Sequence, residues 1–285
     1  MGIKIEHVSF TDNKKASNST LALDDVSFEI KDNDFVAIVG ETGSGKSTLA
    51  QTFNGLLFPD QGEVIIDDYV ISHKNRKSRK LKGLRKHVGL VFQFPEYQLF
   101  EETVENDVAF GAKNFGAKGE EAINKAHEAL KQVGLDESYY KRPPFELSGG
   151  EKRKVAIAGI LALDTDVLVF DEPTVGFDPA SAKDLMNMIC EFHKQGKTII
   201  VITHDMDLVR RYANKVYMLE KGKLVFEGEP SELFTRVQHY DRLDIPQVTR
   251  LALMLKEKGM DIDINNIRHS DDLIEAIKKW RAKNG

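Results

Sequence analysis

One glycine-rich segment of the sequence has the residue types and spacing of a phosphate-binding loop. It starts at Gly40 and fits the pattern G-x-x-x-x-G-K-[ST] in full. Glycines let backbone N–H groups converge on phosphate oxygens, and a following helix N-terminus adds partial positive charge. Lys46 would reach the β- and γ-phosphates, and the Ser47 hydroxyl would ligate Mg²⁺. The predicted nucleotide-binding residues are Gly40, Glu41, Thr42, Gly43, Ser44, Gly45, Lys46, Ser47 and Thr48.

Two consecutive acids, Asp171 and Glu172, follow the apolar run Val167–Phe170. Ligands of open α/β sheets bind beyond the carboxyl ends of the strands. Asp171 could hold Mg²⁺ there, and Glu172 could orient an attacking water and accept its proton. Alone, such a pair fits a helix-capping turn equally well. The phosphate loop elsewhere in the chain favours the catalytic interpretation.

A second anion site is predicted where Leu147, Ser148, Gly149, Gly150 and Glu151 open a helical stretch. Serine is a good N-cap, and the two glycines expose backbone N–H groups at the helix start. In isolation this pattern indicates only a capped helix. Beside a complete phosphate loop, a second anion site is redundant unless two chains share one γ-phosphate.

The elements that must position these residues follow from apolar periodicity. Alternation at Val26, Phe28 and Ile30 predicts a half-buried strand, and the continuous run Phe35–Val39 predicts a strand buried on both faces. A helix is predicted after the loop, over Lys46–Leu57. Further strands are predicted at Ile3–Phe10, Glu63–Ile66, Val88–Phe92, Val167–Phe170, Thr198–Ile202, Val216–Leu219 and Leu224–Phe226.

Helical patterns dominate two other parts of the chain. Between Phe94 and Leu163 they form a candidate second unit, and from Pro230 onward they form a tail of about 55 residues. Helices are predicted at Val104–Phe115, Glu120–Val133, Glu151–Leu163, Ser231–Phe234, Val248–Lys258 and Asp271–Arg281.

Composition excludes several classes of protein. The 285 residues are 41% hydrophobic and 30% charged, which allows a sizeable core and excludes a disordered or collagen-like chain. The single cysteine, Cys190, excludes a disulfide framework within the chain and suits a reducing cytosol. No run approaches the ~20 apolar residues of a membrane helix, and the start lacks a signal-peptide pattern. We therefore expect any membrane role to be peripheral.

A strongly basic run interrupts an otherwise acidic chain. The net charge is −5, yet residues 73–86 hold eight Lys or Arg and no acid. Such a run could contact anionic lipid or nucleic acid, but a solvated loop or helix face is the simpler interpretation. Its role stays open, and we expect no nucleic-acid partner.

Together these motifs resemble an ATP-binding-cassette (ABC) ATPase subunit over roughly residues 1–230. Leu147–Glu151 matches the family's signature, with Glu151 where glutamine is commonest. Gln93 matches the Q-loop, Asp178 the D-loop and His204 the switch histidine. Because five motifs occur in the family's order, the match is specific.

The resemblance implies an α/β P-loop NTPase cassette. It has a RecA-like mixed-sheet core with an N-terminal antiparallel β part, an inserted helical subdomain at about residues 95–163, and a C-terminal helical extension, 231–285. ATP and Mg²⁺ are the implied ligands. Ser47, Gln93 and Asp171 are then the Mg²⁺ residues, and Glu172, His204 and Gln93 the catalytic ones. Asp12 stands where the family stacks adenine on an aromatic residue. The adenine contact is therefore left open: either Phe10 substitutes, or the base is held weakly.

A finer similarity is to the ATPase components of energy-coupling factor transporters, which import vitamins and related micronutrients. It lies in the stretches 93–111, 145–150 and 155–162 and in the tail. It implies a second ATPase subunit, of a different paralogue, held partly by the tail. It further implies a transmembrane coupling subunit, a substrate-binding membrane subunit and a peripheral place on the cytoplasmic side of the cell membrane. Close relatives include ATPases of cobalt and nickel importers.

In such subunits a groove beside the Q-loop receives a helix of the membrane partner, and the matching segment here is Phe94–Phe110. Aromatic residues with an acidic rim suit a basic, amphipathic helix. The alternative is that the aromatics fill the core between the two units. The expected groove residues are Phe94, Glu96, Tyr97, Leu99, Phe100, Glu101, Glu102, Val104 and Glu105.

Other functions fit the motifs less well. A soluble, nucleic-acid-associated ABC ATPase usually has two cassettes or a long coiled coil, and neither is present. A nucleotide-gated module without catalysis would not need both Glu172 and His204. A small-molecule kinase shares the phosphate loop but has no use for the signature. The sequence does not identify the transported substrate.

Overall fold

The computed structural model of the protein describes residues 2–12, 19–76, 80–235 and 244–284. The strands in these ranges are β1 (Gly2–Asp12), β2 (Thr20–Lys31), β3 (Phe35–Val39), β4 (Gln61–Ile66), β5 (Tyr69–Ser72), β6 (Val88–Val91), β7 (Val167–Asp171), β8 (Thr198–Ile202), β9 (Lys215–Glu220) and β10 (Lys223–Gly228). The α-helices are α1 (Lys46–Phe53), α2 (Leu81–His87), α3 (Val104–Asn114), α4 (Glu120–Gln132), α5 (Glu137–Tyr140), α6 (Gly149–Leu161), α7 (Pro179–Lys194), α8 (Met206–Tyr212), α9 (Pro230–Thr235), α10 (Gln247–Glu257) and α11 (Ser270–Asn284).

The described strands form two sheets. One is four-stranded and antiparallel, in the order β2-β1-β4-β5. The other is six-stranded, in the order β10-β9-β3-β8-β7-β6, and only its β10–β9 pair is antiparallel. The predicted α/β class, with a mixed sheet and an N-terminal antiparallel part, is confirmed.

The central strand β3 contributes to two hydrophobic cores. Val36 and Ile38 face the core between the two sheets, which α1 helps to close. Phe35, Ala37 and Val39 face the opposite core, where α3, α4, α6 and α7 pack. Because β3 is buried on both faces, a continuous apolar run was required there, as the sequence predicts. The loop that follows β3 therefore begins at the end of a strand that is fixed by packing on both faces.

Two helical groups lie outside the sheets. Helices α3, α4 and α6 pack against one another over residues 104–161. Helices α10 and α11 enclose a small separate core around Ala252, Ile262 and Leu273. The buried Arg210 of α8 donates hydrogen bonds to the carbonyls of Ile267, at 2.9 Å, and Asn265, at 3.0 Å. These bonds join the C-terminal helices to the cassette.

Helix α1 ends earlier than predicted. The prediction of helix up to Leu57 was wrong, because Gly55 adopts a positive φ of 65° and the N–H groups of Leu56 and Leu57 turn back to the Gln51 carbonyl. The elements β5, α2, α5, α7 and α8 are not among the predicted ones. For α7 a signal existed, since Asp178 caps the helix and Pro179 occupies its first turn.

Within the described ranges, we find no helix with the length and apolar composition needed to cross a membrane.

Candidate functional site

The glycine-rich loop follows β3 and is held tightly by neighbouring backbone. Gly40 has a φ of 144°, and a Cβ there would lie 2.2 Å from the Leu219 carbonyl oxygen. Gly45 has a φ of 101°, and a Cβ would lie 2.3 Å from the Ala22 carbonyl oxygen. Only glycine fits both positions. The strand–loop–helix context predicted for Gly40–Thr48 is therefore present, with α1 starting at Lys46.

Lys46 lies buried across this loop. Its Nζ donates hydrogen bonds of 2.7 Å to the carbonyls of Gly40 and Glu41. Burial lowers the pKa of Lys46, and the negative charges of Glu172, Asp171 and Glu41 oppose that shift. The ammonium is thus held inside the loop, next to the acids that follow β7.

Asp171 ends β7 and is only 8% exposed. Burial raises the pKa of its carboxyl group, and the neighbouring Ser47 hydroxyl opposes that shift. Among the described residues, neither Asp171 Oδ1 nor Glu172 Oε2 has a hydrogen-bond partner, although both atoms are buried. Buried oxygens without partners call for a ligand. Carboxylate and hydroxyl oxygens are what Mg²⁺ prefers, so Ser47 and Asp171 fit this ion.

Glu172 has a strained backbone conformation and contacts His204, the predicted switch histidine. Its φ is 49°, which is uncommon outside glycine, and its N–H donates to the Ile202 carbonyl at 2.8 Å. Its Oε1 lies 2.8 Å from Nδ1 of His204. The structure thus brings together Lys46, Asp171, Glu172 and His204 at one edge of the sheet.

The topology places Gln93 at the same edge. It is exposed and follows β6, which pairs in parallel with β7. Asp178 lies beyond Glu172 and caps α7, because its Oδ1 accepts hydrogen bonds from the N–H groups of Ala180 and Ser181. Both residues therefore stand where loops leave the sheet near the acids.

The signature segment lies apart, at the exposed start of α6. Ser148 Oγ accepts from the Glu151 N–H at 3.4 Å, and Glu151 Oε2 accepts from the Ser148 N–H at 2.8 Å, which is a capping box. The Tyr139 hydroxyl donates to Glu151 Oε1 at 2.9 Å. The hydrogen bonds from Ser148 and Tyr139 lower the pKa of Glu151. A cavity of about 430 Å³ lies beside this cap, between α6 and α7. The other signature residues are Leu147, Gly149 and Gly150.

Two residues, Phe10 and Asp12, bear on the predicted adenine contact. Phe10 is half-buried and packs against the core between the sheets, and Asp12 ends β1. The stacking role of Phe10 stays a prediction.

The segment after Gln93 exposes several aromatic rings. Tyr97 is 84% exposed and Phe100 64% exposed, and Phe100 contacts Phe110 edge to face. The groove prediction was wrong for Glu96, whose side chain is 15% exposed, and for two further residues, Val104, which is fully buried, and Glu105, which is 6% exposed. The last two begin α3, whose N-terminal turn faces the core.

Glu105 and Glu96 both pair internally instead of forming an outer rim. Glu105 contacts Lys141 and accepts a hydrogen bond of 3.0 Å from His127. Glu96 accepts two hydrogen bonds from Arg153. Sequence reasoning missed Arg153, because three consecutive cations, residues 152–154, give no signal of which one is buried.

Comparisons with known proteins agree with this geometry. The model of the ABC transporter family matches residues 23–175. The energy-coupling factor transporter ATP-binding protein EcfA2 of Streptococcus pneumoniae serotype 2 is 48% identical over 91% of this chain and 94% of its own length. EcfA2 of Mesoplasma florum is 45% identical over 98% of this chain and 90% of its own.

Solved structures show the same fold. The structure of cbiO1 from Clostridium perfringens, part of the ABC transporter complex cbiONQ, superposes with a TM-score of 0.74 at 35% identity, covering 90% of this chain and 96% of that one. The ATP-binding cassette MJ0796, a dimer in a post-hydrolysis state with ADP and Pi, superposes with a TM-score of 0.71 at 31% identity, covering 80% and 98%. Sequence identity near one half, sustained over almost the whole length, shows that this chain belongs to the ABC transporter family as an ATPase of the energy-coupling factor type.

Proposed function

We propose that this chain hydrolyses ATP on the cytoplasmic side of the cell membrane, with Mg²⁺, and that hydrolysis drives import of a vitamin or related micronutrient. One observation carries the catalytic part. Asp171 and Glu172 bury two oxygens without partners among the described residues, next to Lys46 and Ser47. This arrangement supports a site for a metal-bound triphosphate and an attacking water.

Each residue of the site has a distinct proposed role. The N–H groups of Gly40–Thr48 and the Lys46 ammonium bind the phosphates. Ser47, Asp171 and Gln93 would hold Mg²⁺, which neutralises phosphate charge when bound. Glu172 accepts the proton of the attacking water, and His204 holds the other carboxylate oxygen in place.

A second ATPase chain is proposed to complete the site. The capped start of α6 presents Ser148, Gly149 and Gly150 at the surface, where the N–H groups of Gly149 and Gly150 suit an anion, while the Ser148 N–H donates to Glu151 Oε2. The similar cassette MJ0796 is a dimer with ADP and Pi. We infer that Ser148 closes over the phosphate loop of a partner, a different paralogue, and that Asp178 lies at the same interface.

Mixed chains test this arrangement. Ser148→Arg places a bulky cation at the helix start, so ATP hydrolysis should fall at the partner's phosphate loop more than at its own. Turnover at the partner's phosphate loop is measured by adding Glu172→Gln to the variant chain. Turnover at the variant's own loop is measured by disabling the equivalent glutamate of the partner instead. Ser138→Arg, an exposed serine in α5 of the same helical block, is the matched control. Loss confined to the variant's own site would refute the shared site.

We assign residues 1–230 to the nucleotide-binding domain, about 95–163 to its helical subdomain, and 231–285 to an extension that helps hold the ATPase pair. Exposed apolar side chains on the C-terminal helices support the last assignment: Leu251, Met254 and Ile274. The basic run, 73–86, falls partly outside the described residues, since 77–79 are not described. We propose no nucleic-acid partner for this run.

The membrane partners are proposed to be a transmembrane coupling subunit and a substrate-binding subunit. The exposed rings of Phe94, Tyr97 and Phe100, with Glu101 and Glu102 beside them, support a groove for a basic helix of the coupling subunit. A cobalt or nickel importer is the second candidate, because ATPases of such importers are among the close relatives that the sequence resemblance implies. The complex is purified in mild detergent and reconstituted into vesicles, and ATP-driven uptake is then measured with labelled vitamins and with Co²⁺ and Ni²⁺. The substrate that is taken up distinguishes a vitamin importer from a cobalt or nickel importer.

A further inference from the structure

Arg153 of α6 joins two loops that leave neighbouring strands of the large sheet. Its Nε and Nη2 donate to the two carboxylate oxygens of Glu96, at 3.0 and 2.9 Å. Its Nη1 donates to the carbonyls of Pro173, at 2.9 Å, and Val175, at 3.1 Å. A side chain that makes four hydrogen bonds while buried fixes the relative positions of everything it contacts.

Two aromatic rings complete the surroundings of this guanidinium. The Phe177 ring lies 4.4 Å from its central carbon, and the Phe94 ring lies 5.8 Å away. Phe94 precedes Glu96 in the loop after β6, whereas Phe177 follows Val175 in the loop after β7. The loop after β6 therefore contributes one carboxylate and one ring to Arg153, the loop after β7 contributes two carbonyls and one ring, and the two loops meet on α6.

Both loops contain a backbone position that needs support. Phe94 has a φ of 56° and Glu172 a φ of 49°, and each precedes a proline. This conformation is rare for residues other than glycine, and a following proline further disfavours helical backbone. Such residues persist only where their surroundings hold them. Upstream, the Glu172 N–H is bonded to Ile202 in β8. Downstream, the carbonyls of Pro173 and Val175 are bonded to Arg153.

We propose that Arg153 is a positioning residue for ATP hydrolysis. It holds the backbone just after Glu172, so that the carboxylate stays aimed at the site of the attacking water. Through its two hydrogen bonds to Glu96, Arg153 also fixes the loop after β6, which carries Gln93, relative to the backbone after Glu172. The inference rests on the proposed catalytic role of Glu172. Lysine cannot replace arginine here, because only the planar guanidinium can bind a carboxylate with two bonds and two carbonyls at once.

The test compares Arg153→Lys, which keeps the charge, with Lys152→Met, which removes a cation from the adjacent position of α6. Steady-state ATP hydrolysis gives kcat and KM when the full chain is paired with a second ATPase chain whose own catalytic glutamate is disabled. Equilibrium binding of a fluorescent ATP analogue gives affinity. We expect Arg153→Lys to lower kcat about 10- to 100-fold, as for a displaced catalytic group. KM and ATP affinity should change less than about threefold, because the phosphate loop is untouched. Lys152→Met should resemble the parent.

A double variant separates positioning from general damage to the fold. If Arg153 acts through Glu172, adding Arg153→Lys to Glu172→Gln should slow single-turnover hydrolysis by no more than about twofold. Losses that multiply, or a raised KM with an unchanged kcat, would overturn the proposal. If Arg153→Lys fails to fold, the isosteric Glu96→Gln gives the same comparison with a smaller expected loss of kcat. Full turnover in Glu172→Gln alone would instead overturn the catalytic assignment itself.

Discussion

The imidazole of His204 and the carboxylate of Glu172 are in direct contact, with Nδ1 and Oε1 2.8 Å apart. His204 is largely exposed, whereas the Glu172 side chain is 14% exposed. The second oxygen, Oε2, is buried without a partner among the described residues. A carboxylate held at one oxygen and free at the other is oriented to accept a proton from one direction. This contact makes the loop after β8 part of the site formed by the loops after β3 and β7.

Removing the charge of Asp171 should stabilise the fold without ATP and abolish hydrolysis. Burial raises the pKa of this carboxyl group. The protonated carboxyl group of Asp171 therefore favours the folded state at low pH, and this stability is lost as pH rises through the folded-state pKa. At neutral pH the buried charge is a cost, so Asp171→Asn should raise the free energy of unfolding by about 0.5–2 kcal/mol. Urea unfolding of the ATP-free chain measures this.

The same variant should gain less stability from MgATP than the parent, because a ligand stabilises only the state that binds it. Asp178→Asn is the matched control for stability, since asparagine caps helices as well as aspartate does. Its free energy of unfolding should stay close to that of the parent. A lower melting temperature for ATP-free Asp171→Asn would contradict the assigned cost of the charge.

Glu105 should make the stability of the helical subdomain depend on pH in the acid range. Burial alone would raise its pKa, but hydrogen bonds from Lys141 and His127 outweigh this effect, so the pKa is lowered from 4.5. A lowered pKa gives stability that is present above pH 4.5 and is lost as pH falls through the folded-state value. Glu105→Gln should cost about 1–3 kcal/mol at pH 7 and less at pH 3.

Thermal unfolding of parent and variant over this pH range measures the difference. Glu128→Gln changes an exposed carboxylate on α4 and serves as the control. Parallel pH profiles for the parent and Glu105→Gln would show that the ion pair contributes nothing in solution.

Charge reversal at Glu101 and Glu102 should separate hydrolysis from coupling. Because partly or fully exposed carboxylates add only ~0–1 kcal/mol, the double Lys variant should fold normally and, paired with the second ATPase chain, keep its basal ATP hydrolysis. Co-purification with the membrane subunit and ATP-driven uptake should both fall. The matched control reverses Glu121 and Glu128, two exposed carboxylates on α4. Full transport by the Glu101 and Glu102 variant would show that these two carboxylates do not contact the coupling subunit.

Local signals in the sequence predicted the parts of the site that depend on local structure. The run Phe35–Val39 and the pattern from Gly40 onward predict a buried strand, a tight glycine-rich loop and a helix start, and all three are present. Strand β7 and its two acids are likewise present. These features need only the chain's own backbone geometry and the burial of one strand, so periodicity and spacing were sufficient.

Contacts between distant residues were not predictable in this way. Glu105 looked like a rim residue, but its partner Lys141 lies 36 positions along the chain. Arg153 bonds to Glu96, 57 positions away. Neither pairing leaves a trace in local composition, because an ion pair needs no fixed spacing. The catalytic role of His204 was predicted only from the family resemblance, since a lone histidine after a strand usually has a structural role, and its contact with Glu172 was not predicted.

The most direct test of the account is Glu172→Gln. The amide keeps the shape of the carboxylate but cannot accept a proton from water, and such groups contribute ~10²–10⁴-fold to rate. ATP affinity and single-turnover hydrolysis are measured on the same preparation of the full chain paired with a second ATPase chain whose own catalytic glutamate is disabled. We expect binding like that of the parent, ATP retained in a dimer, and hydrolysis reduced by that factor. Turnover within about tenfold of the parent would show that Glu172 is not the base.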